Sequence, residues 1–110
     1  MSGNGQDAPQ FVLEQGARGA VSARGPLTFA TARRARLAGI AVLAAAPAQP
    51  ALVMDCAGID AADSAGLAVL LDWLASAKAS GHGLRFTGLP QGFAALARIS
   101  EVEALLERGV

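Results

Sequence analysis

The chain has 110 residues, enough for one domain with a core of its own and no need of disulfides or metal. Apolar residues make up 53% of it, which excludes a disordered polar segment, although much of that fraction is alanine and adds little core volume. Nine basic and nine acidic side chains cancel, so no global charge draws the protein to nucleic acid or to anionic lipid.

The single cysteine, Cys56, can form neither an internal disulfide nor a Cys-based zinc site, and fits a reducing compartment. Residues 1–7 lack the basic flank and apolar run of a signal peptide. The longest apolar run, residues 37–48, is interrupted by Pro47 and falls short of the ~18 residues of a membrane span. A soluble cytoplasmic protein is expected.

Residues 1–10 are small and polar and read as a flexible tail, with one domain over 11–110. Phe11-Val12-Leu13-Glu14 reads as a strand, 16–19 as a turn, and the alternating Val21-Ser22-Ala23-Arg24 as a second strand that closes a hairpin. Gly25-Pro26 should end it, because proline cannot continue a central ladder. Thr28 is placed to cap a helix from about Phe29 to Ala46, stopped by Pro47. Ala51-Leu52-Val53-Met54-Asp55 has the pattern of a short parallel strand buried on both faces. A loop, Cys56 to Asp63, leads to a second helix from Ser64 to Ser80, on which Leu67, Leu70, Leu71 and Leu74 form one stripe. Gly81 and Gly83 terminate it.

Leu84-Arg85-Phe86-Thr87 reads as the last strand. Pro90 opens a third helix with Phe93, Leu96 and Ala97 inward, and Ser100-Glu101-Val102-Glu103 has capping-box spacing for a short final helix ending at Gly109. The order β-β-α-β-α-β-α, plus that last helix, predicts an α/β domain whose mixed sheet takes its antiparallel part from the hairpin.

The segment that carries information is Asp55-Cys56-Ala57-Gly58-Ile59-Asp60-Ala61-Ala62-Asp63-Ser64-Ala65-Gly66-Leu67. It runs from the C-terminal end of a buried strand to a helix N-terminus, the edge where ligands and partners of α/β sheets dock. Either Asp63 or Ser64 is a natural N-cap, and a cap is also an exposed polar group. A phosphate on Ser64 would gain from the helix end and be repelled by Asp60 and Asp63.

Elsewhere the inventory is thin. There is no phosphate-binding glycine loop, no dinucleotide fingerprint and no nucleophile elbow around Ser64, and His82 has no orienting carboxylate, so no catalytic residue, cofactor or metal site is assigned. Asp55, Asp60 and Asp63 match no dedicated magnesium spacing. Arg33, Arg34 and Arg36 read as a solvated helix face, and His82 as a surface residue. Trp73 lies off the centre of the leucine stripe. It packs at the core edge or anchors a partner, and with Val69 makes a second apolar strip.

Asp63-Ser64-Ala65-Gly66-Leu67, after an apolar strand ending in Asp55 and leading into an amphipathic helix, resembles the signature of STAS domains. With Gly25-Pro26-Leu27-Thr28-Phe29 and the matching element order, the resemblance covers residues 11–108. It implies a single STAS-like α/β domain, a mixed sheet with helices mainly on one face, and a non-catalytic protein-interaction role. The segments from Gly88 to Val102 and from Leu70 to Leu74 look like the STAS subunit of the Mla-type phospholipid-transport ABC system, which serves outer-membrane lipid asymmetry. That branch implies an ABC-transporter ATPase as partner and a cytoplasmic location, peripheral to the inner membrane through that partner. The contact would use Ser64, Asp60, Asp63, Ala65, Gly66, Leu67 and Trp73. The other branch, the anti-sigma-factor antagonists, implies a serine kinase as partner and Ser64 as its phosphorylation site. Cys56-Ala57, where Leu-Ser is common, and the small Ala62 depart from that branch.

Overall fold

A computed structural model describes residues 10–47 and 50–110; of the tail expected over residues 1–10, only Gln10 lies within that range. The elements run β1 (Val12–Gln15), β2 (Ala20–Leu27), α1 (Ala32–Ala45), β3 (Leu52–Ala62), α2 (Ser64–Ala79), β4 (Leu84–Thr87), α3 (Gln91–Ile99) and α4 (Glu103–Arg108). The sheet order is β1-β2-β3-β4, antiparallel within the hairpin and parallel across β2–β3 and β3–β4. The mixed sheet expected from the element order is therefore present.

Alternation along the strands decides which face the helices cover. Val21 and Ala23 of β2, Leu52, Met54 and Cys56 of β3, and Leu84 and Phe86 of β4 are buried. Their neighbours Ser22, Arg24, Asp55, Arg85 and Thr87 are exposed on the opposite face. The parallel part of the sheet is thus packed on one side only, which corrects the reading of residues 51–55 as buried on both faces. Ser22, Arg24, Asp55, Arg85 and Thr87 keep that open face solvated, with Val53 half-buried among them.

On α2 the buried positions are Gly66, Leu67, Val69, Leu70, Trp73, Leu74 and Ala77. They merge the leucine stripe and the Val69–Trp73 strip into one broad face, and they move its centre. Leu70 and Leu74 are in the core, whereas Leu71 is only partly buried at the rim. The cost of about 2–5 kcal/mol for truncating a core leucine to alanine therefore belongs to Leu70 and Leu74, and Leu71→Ala should fall below it.

Trp73 is fully buried. A Cβ on Gly39 of α1 would stand 2.1 Å from its Nε1, so the indole lies where α1 lacks a side chain. Its N–H donates to the Arg36 carbonyl at 3.1 Å, and the Phe11 ring packs 6.0 Å away. With its polar atom satisfied, the indole joins the core without cost to hydrogen bonding.

Four local expectations give way to competing interactions. Strand β2 does not stop at Gly25-Pro26 but continues to Leu27, and residues 56–62, read as a loop, are the second half of β3. Pairing with β1 ends at Arg24, and the β2–β3 register shifts between Ser22 and Arg24 and again at Gly25/Pro26, so proline's missing donor is accommodated. Helix α1 begins at Ala32, not Phe29, because the Thr31 hydroxyl donates to the Pro26 carbonyl (2.9 Å) and accepts from the Thr28 N–H (3.1 Å) to hold residues 28–31 as a turn. The capping box is absent. Glu101 takes a left-handed φ of 62° and the Val102 N–H bonds back to the Ala97 carbonyl at 2.9 Å, which spends Ser100–Val102 on terminating α3. Val102 then stands at the N-cap of α4, and Glu103 faces Arg98 at 3.5 Å.

Candidate partner-binding site

The long β3 delivers the chain to the start of α2 at the C-terminal end of the sheet, where the Asp63–Leu67 motif lies. Each residue of that motif has a separate physical task. Asp63 is the N-cap: its backbone is extended (φ −144°), and its Oδ1 accepts from the Gly66 N–H at 2.9 Å. Its Oδ2 accepts from the Phe29 N–H, also at 2.9 Å, so one carboxylate ties the helix end to the β2–α1 turn. These backbone N–H groups, Phe29 first and then Gly66, hold the Asp63 carboxyl below the usual aspartate range.

Ser64 is the first helical residue and is exposed. Because Asp63 makes the cap, the choice left open between the two is decided, and the Ser64 hydroxyl is not consumed by it. Ala65 is half-buried and lines a shallow groove between α1 and α2, together with Ala32, Arg33 and Ala68. Gly66 is buried, and a Cβ there would stand 2.0 Å from the Leu27 carbonyl oxygen. Leu67 is buried in the core.

Of the residues assigned to partner contact, Asp60 and Ser64 are exposed, and Asp63 and Ala65 are half-buried beside them. Gly66, Leu67 and Trp73 offer no side-chain surface. Leu67 and Trp73 are core, and Gly66 lets the helix approach β2 closely. The partner-anchor reading of Trp73 gives way to the core. What the sequence did not single out is Phe29, read as the first residue of a helix. It is 84% exposed and stands one hydrogen bond from Asp63. The aromatic side chain after Gly25-Pro26-Leu27-Thr28 was visible, but nothing in its spacing separates an outward from an inward ring.

Other candidates have ordinary roles. The Cys56 thiol is buried and its pKa is pushed up to about 12, first by desolvation and then by the Asp55 charge, so it is an inert core group. His82 is half-buried rather than on the surface, with Nδ1 lacking a hydrogen-bond partner. Among the described residues no cluster of His, Cys, Asp or Glu is arranged to hold a metal, so Asp55, Asp60 and Asp63 do not converge on one. Among them also, no helix is long and apolar enough to cross a membrane.

The double role of Asp63 has a measurable consequence. Asp63→Ala should cost about 1 kcal/mol at neutral pH, the usual worth of an N-cap, and Asp63→Asn should recover only part of it, because an amide has one accepting oxygen where the carboxylate uses two. A depressed folded-state pKa means that the ionised carboxylate contributes fully above the unfolded value of roughly 3.9 and is lost as pH falls through the folded value. Urea unfolding of wild type and Asp63→Ala should therefore converge in acid. An Ala penalty of equal size at neutral pH and well below the ordinary aspartate range would show that the charge plays no part.

A comparison with individually curated proteins returns no match. A comparison with family profiles matches one, described as "Mlab, STAS domain", over residues 11–107, nearly the whole chain and the whole of the sheet, the motif and α2. The four-stranded mixed sheet with its helices in a single α/β domain agrees with it, and the chain belongs to the Mlab STAS-domain family.

Proposed function

We propose that this domain is a non-catalytic STAS subunit that binds the cytoplasmic ATPase of an inner-membrane phospholipid-transport ABC complex, and regulates or stabilises it. The observation that carries the reading is Ser64, exposed at the first turn of α2 with the helix already capped by Asp63, in a chain of the Mlab family. A hydroxyl relieved of capping is available to a partner. The small side chains around it, Ala65 and Ala68, allow a partner backbone to come close. No constellation of nucleophile, base and orienting group forms around Ser64 among the described residues, so contact is the chemistry this surface offers.

In the kinase-switched alternative, a phosphate on Ser64 shares the helix end with the Asp63 carboxylate. That carboxylate already occupies the Gly66 N–H, and the like charges repel. A tagged copy of the full chain is expected to recover an ABC ATPase from native membrane extracts, and the purified pair to bind in a calorimetric titration. Recovery of a serine kinase without the ATPase, with a stoichiometric phosphate on Ser64, would replace this reading by the switch.

A further inference from the structure

The β2–α1 turn holds an apolar anchor out into solvent. Phe29, at 84% exposure, is the most exposed large hydrophobic residue among those described. Exposure of this kind usually goes with a loose loop, yet here the backbone is fixed. The Phe29 N–H is held by Asp63 Oδ2 (2.9 Å), the Thr28 N–H by Thr31 Oγ1 (3.1 Å), and the Thr31 N–H by the Thr28 carbonyl (3.0 Å). The backbone that carries the ring is therefore preorganised against Asp63, the residue before Ser64, and the ring gains nothing from its own fold.

The charges next to it are as one-sided. No Asp or Glu occurs between Gln15 and Met54, a stretch with five arginines. Arg24 is paired with Glu14, and Arg36 with Asp72. Arg33 and Arg34, in the first turn of α1 just past Phe29, are exposed and have no ion pair among the described residues. Arg33 also lines the groove whose other wall carries Ala65 and Ala68. An exposed aromatic residue followed within one turn of helix by two unpaired arginines is the composition of an interface hot spot, since aromatic residues and arginine are enriched there.

We propose that Phe29, Arg33 and Arg34 form the second half of the partner-binding surface, with Phe29 entering an apolar socket on the partner protein and the two arginines pairing with carboxylates at that socket's rim. This rests on the reading of Ser64 as a contact with the ATPase and adds the chemistry the ATPase must present: an apolar pocket with acidic edges. A protein fits better than a bilayer. Two arginines at about 1 kcal/mol each and one ring give only marginal membrane binding, whereas a pocket desolvates the ring completely.

The test is a calorimetric titration of the full chain with the purified ATPase, for wild type, Phe29→Ala and the double variant Arg33→Glu/Arg34→Glu. All three positions are exposed, so thermal melts should coincide. Each variant should bind at least about tenfold more weakly. Wild-type affinity should fall with added salt, and the double variant should lose most of that dependence. A wild-type protein that does not bind the ATPase overturns both this inference and the functional reading. Wild-type binding with both variants unchanged overturns this inference alone. Sedimentation of wild type with phosphatidylglycerol vesicles, lost in both variants while ATPase affinity is unchanged, would assign the patch to the membrane and overturn it as well.

Discussion

Gly66→Ala is expected to remove about 3 kcal/mol or more of folding stability, at or beyond the upper end of what overpacking usually costs. The added Cβ would lie 2.0 Å from the Leu27 carbonyl oxygen, 2.8 Å from its carbon and 3.1 Å from the Phe93 ring. A flexible side chain could step aside, but the nearest atoms are backbone, at the end of an interior strand paired to β3 through Leu27↔Ala62. Phe93 is fully buried and cannot yield either. Relief requires α2 to lift off the sheet, and with it the core contacts of Leu67 and Leu70. Against a total stability of roughly 5–15 kcal/mol for a small domain, that is a large share. Gly92→Ala is the natural control, since its Cβ meets nothing closer than the Ala62 Cβ at 3.6 Å. It should be neutral or slightly stabilising, as alanine is the better helix former. Urea unfolding measures both. A Gly66→Ala protein within about half a kcal/mol of wild type would mean that α2 does not rest on Leu27.

That contact explains why the motif could be recognised in the sequence before it could be interpreted. The residues Asp63 to Leu67 stand next to one another in the chain, but the groups that give them meaning are distant in sequence: the Leu27 carbonyl for Gly66, the Phe29 N–H for Asp63. Periodicity found the helices and the hairpin because those patterns are local. It failed where tertiary pairing overrode composition. Residues 56–62 are mostly small and include Gly58 and Asp60, so they read as a loop, yet β2 supplies a parallel partner as far as Leu27↔Ala62 and makes them strand. Leu71 matched the apolar spacing as well as Leu70 did. Only the angle at which α2 meets the sheet and α1 decides that the core is centred on Leu70, Trp73 and Leu74. The same crossing buries Trp73, because Gly39 leaves room for an indole. From sequence alone, a solitary tryptophan off the main stripe has no way to announce that vacancy.

The sharpest separation between folding and recognition is expected at Ser64. Since Asp63 supplies the cap, Ser64→Ala should leave stability within about half a kcal/mol of wild type, like an ordinary surface substitution. Ser64→Asp should be equally well folded, because a carboxylate in the first turn of α2 interacts favourably with the helix dipole. Binding is where the two variants part. On docking, the surface around Ser64 loses water, and a carboxylate there joins those of Asp60 and Asp63 and meets the acidic rim proposed for the partner. Burying an unmatched charge is costly, and a like charge beside it adds to that cost. Affinity for the ATPase should therefore fall at least tenfold in Ser64→Asp, about 1.4 kcal/mol, while Ser64→Ala loses only what the hydroxyl itself contributes. Thermal melts establish that the variants are folded, and calorimetric titration against the purified ATPase gives the affinities. Wild-type affinity in a folded Ser64→Asp protein would take Ser64 out of the interface and move the contact elsewhere on α2. A loss of stability matching the loss of affinity would mean that Ser64 supports the helix end and that Asp63 is not a sufficient cap.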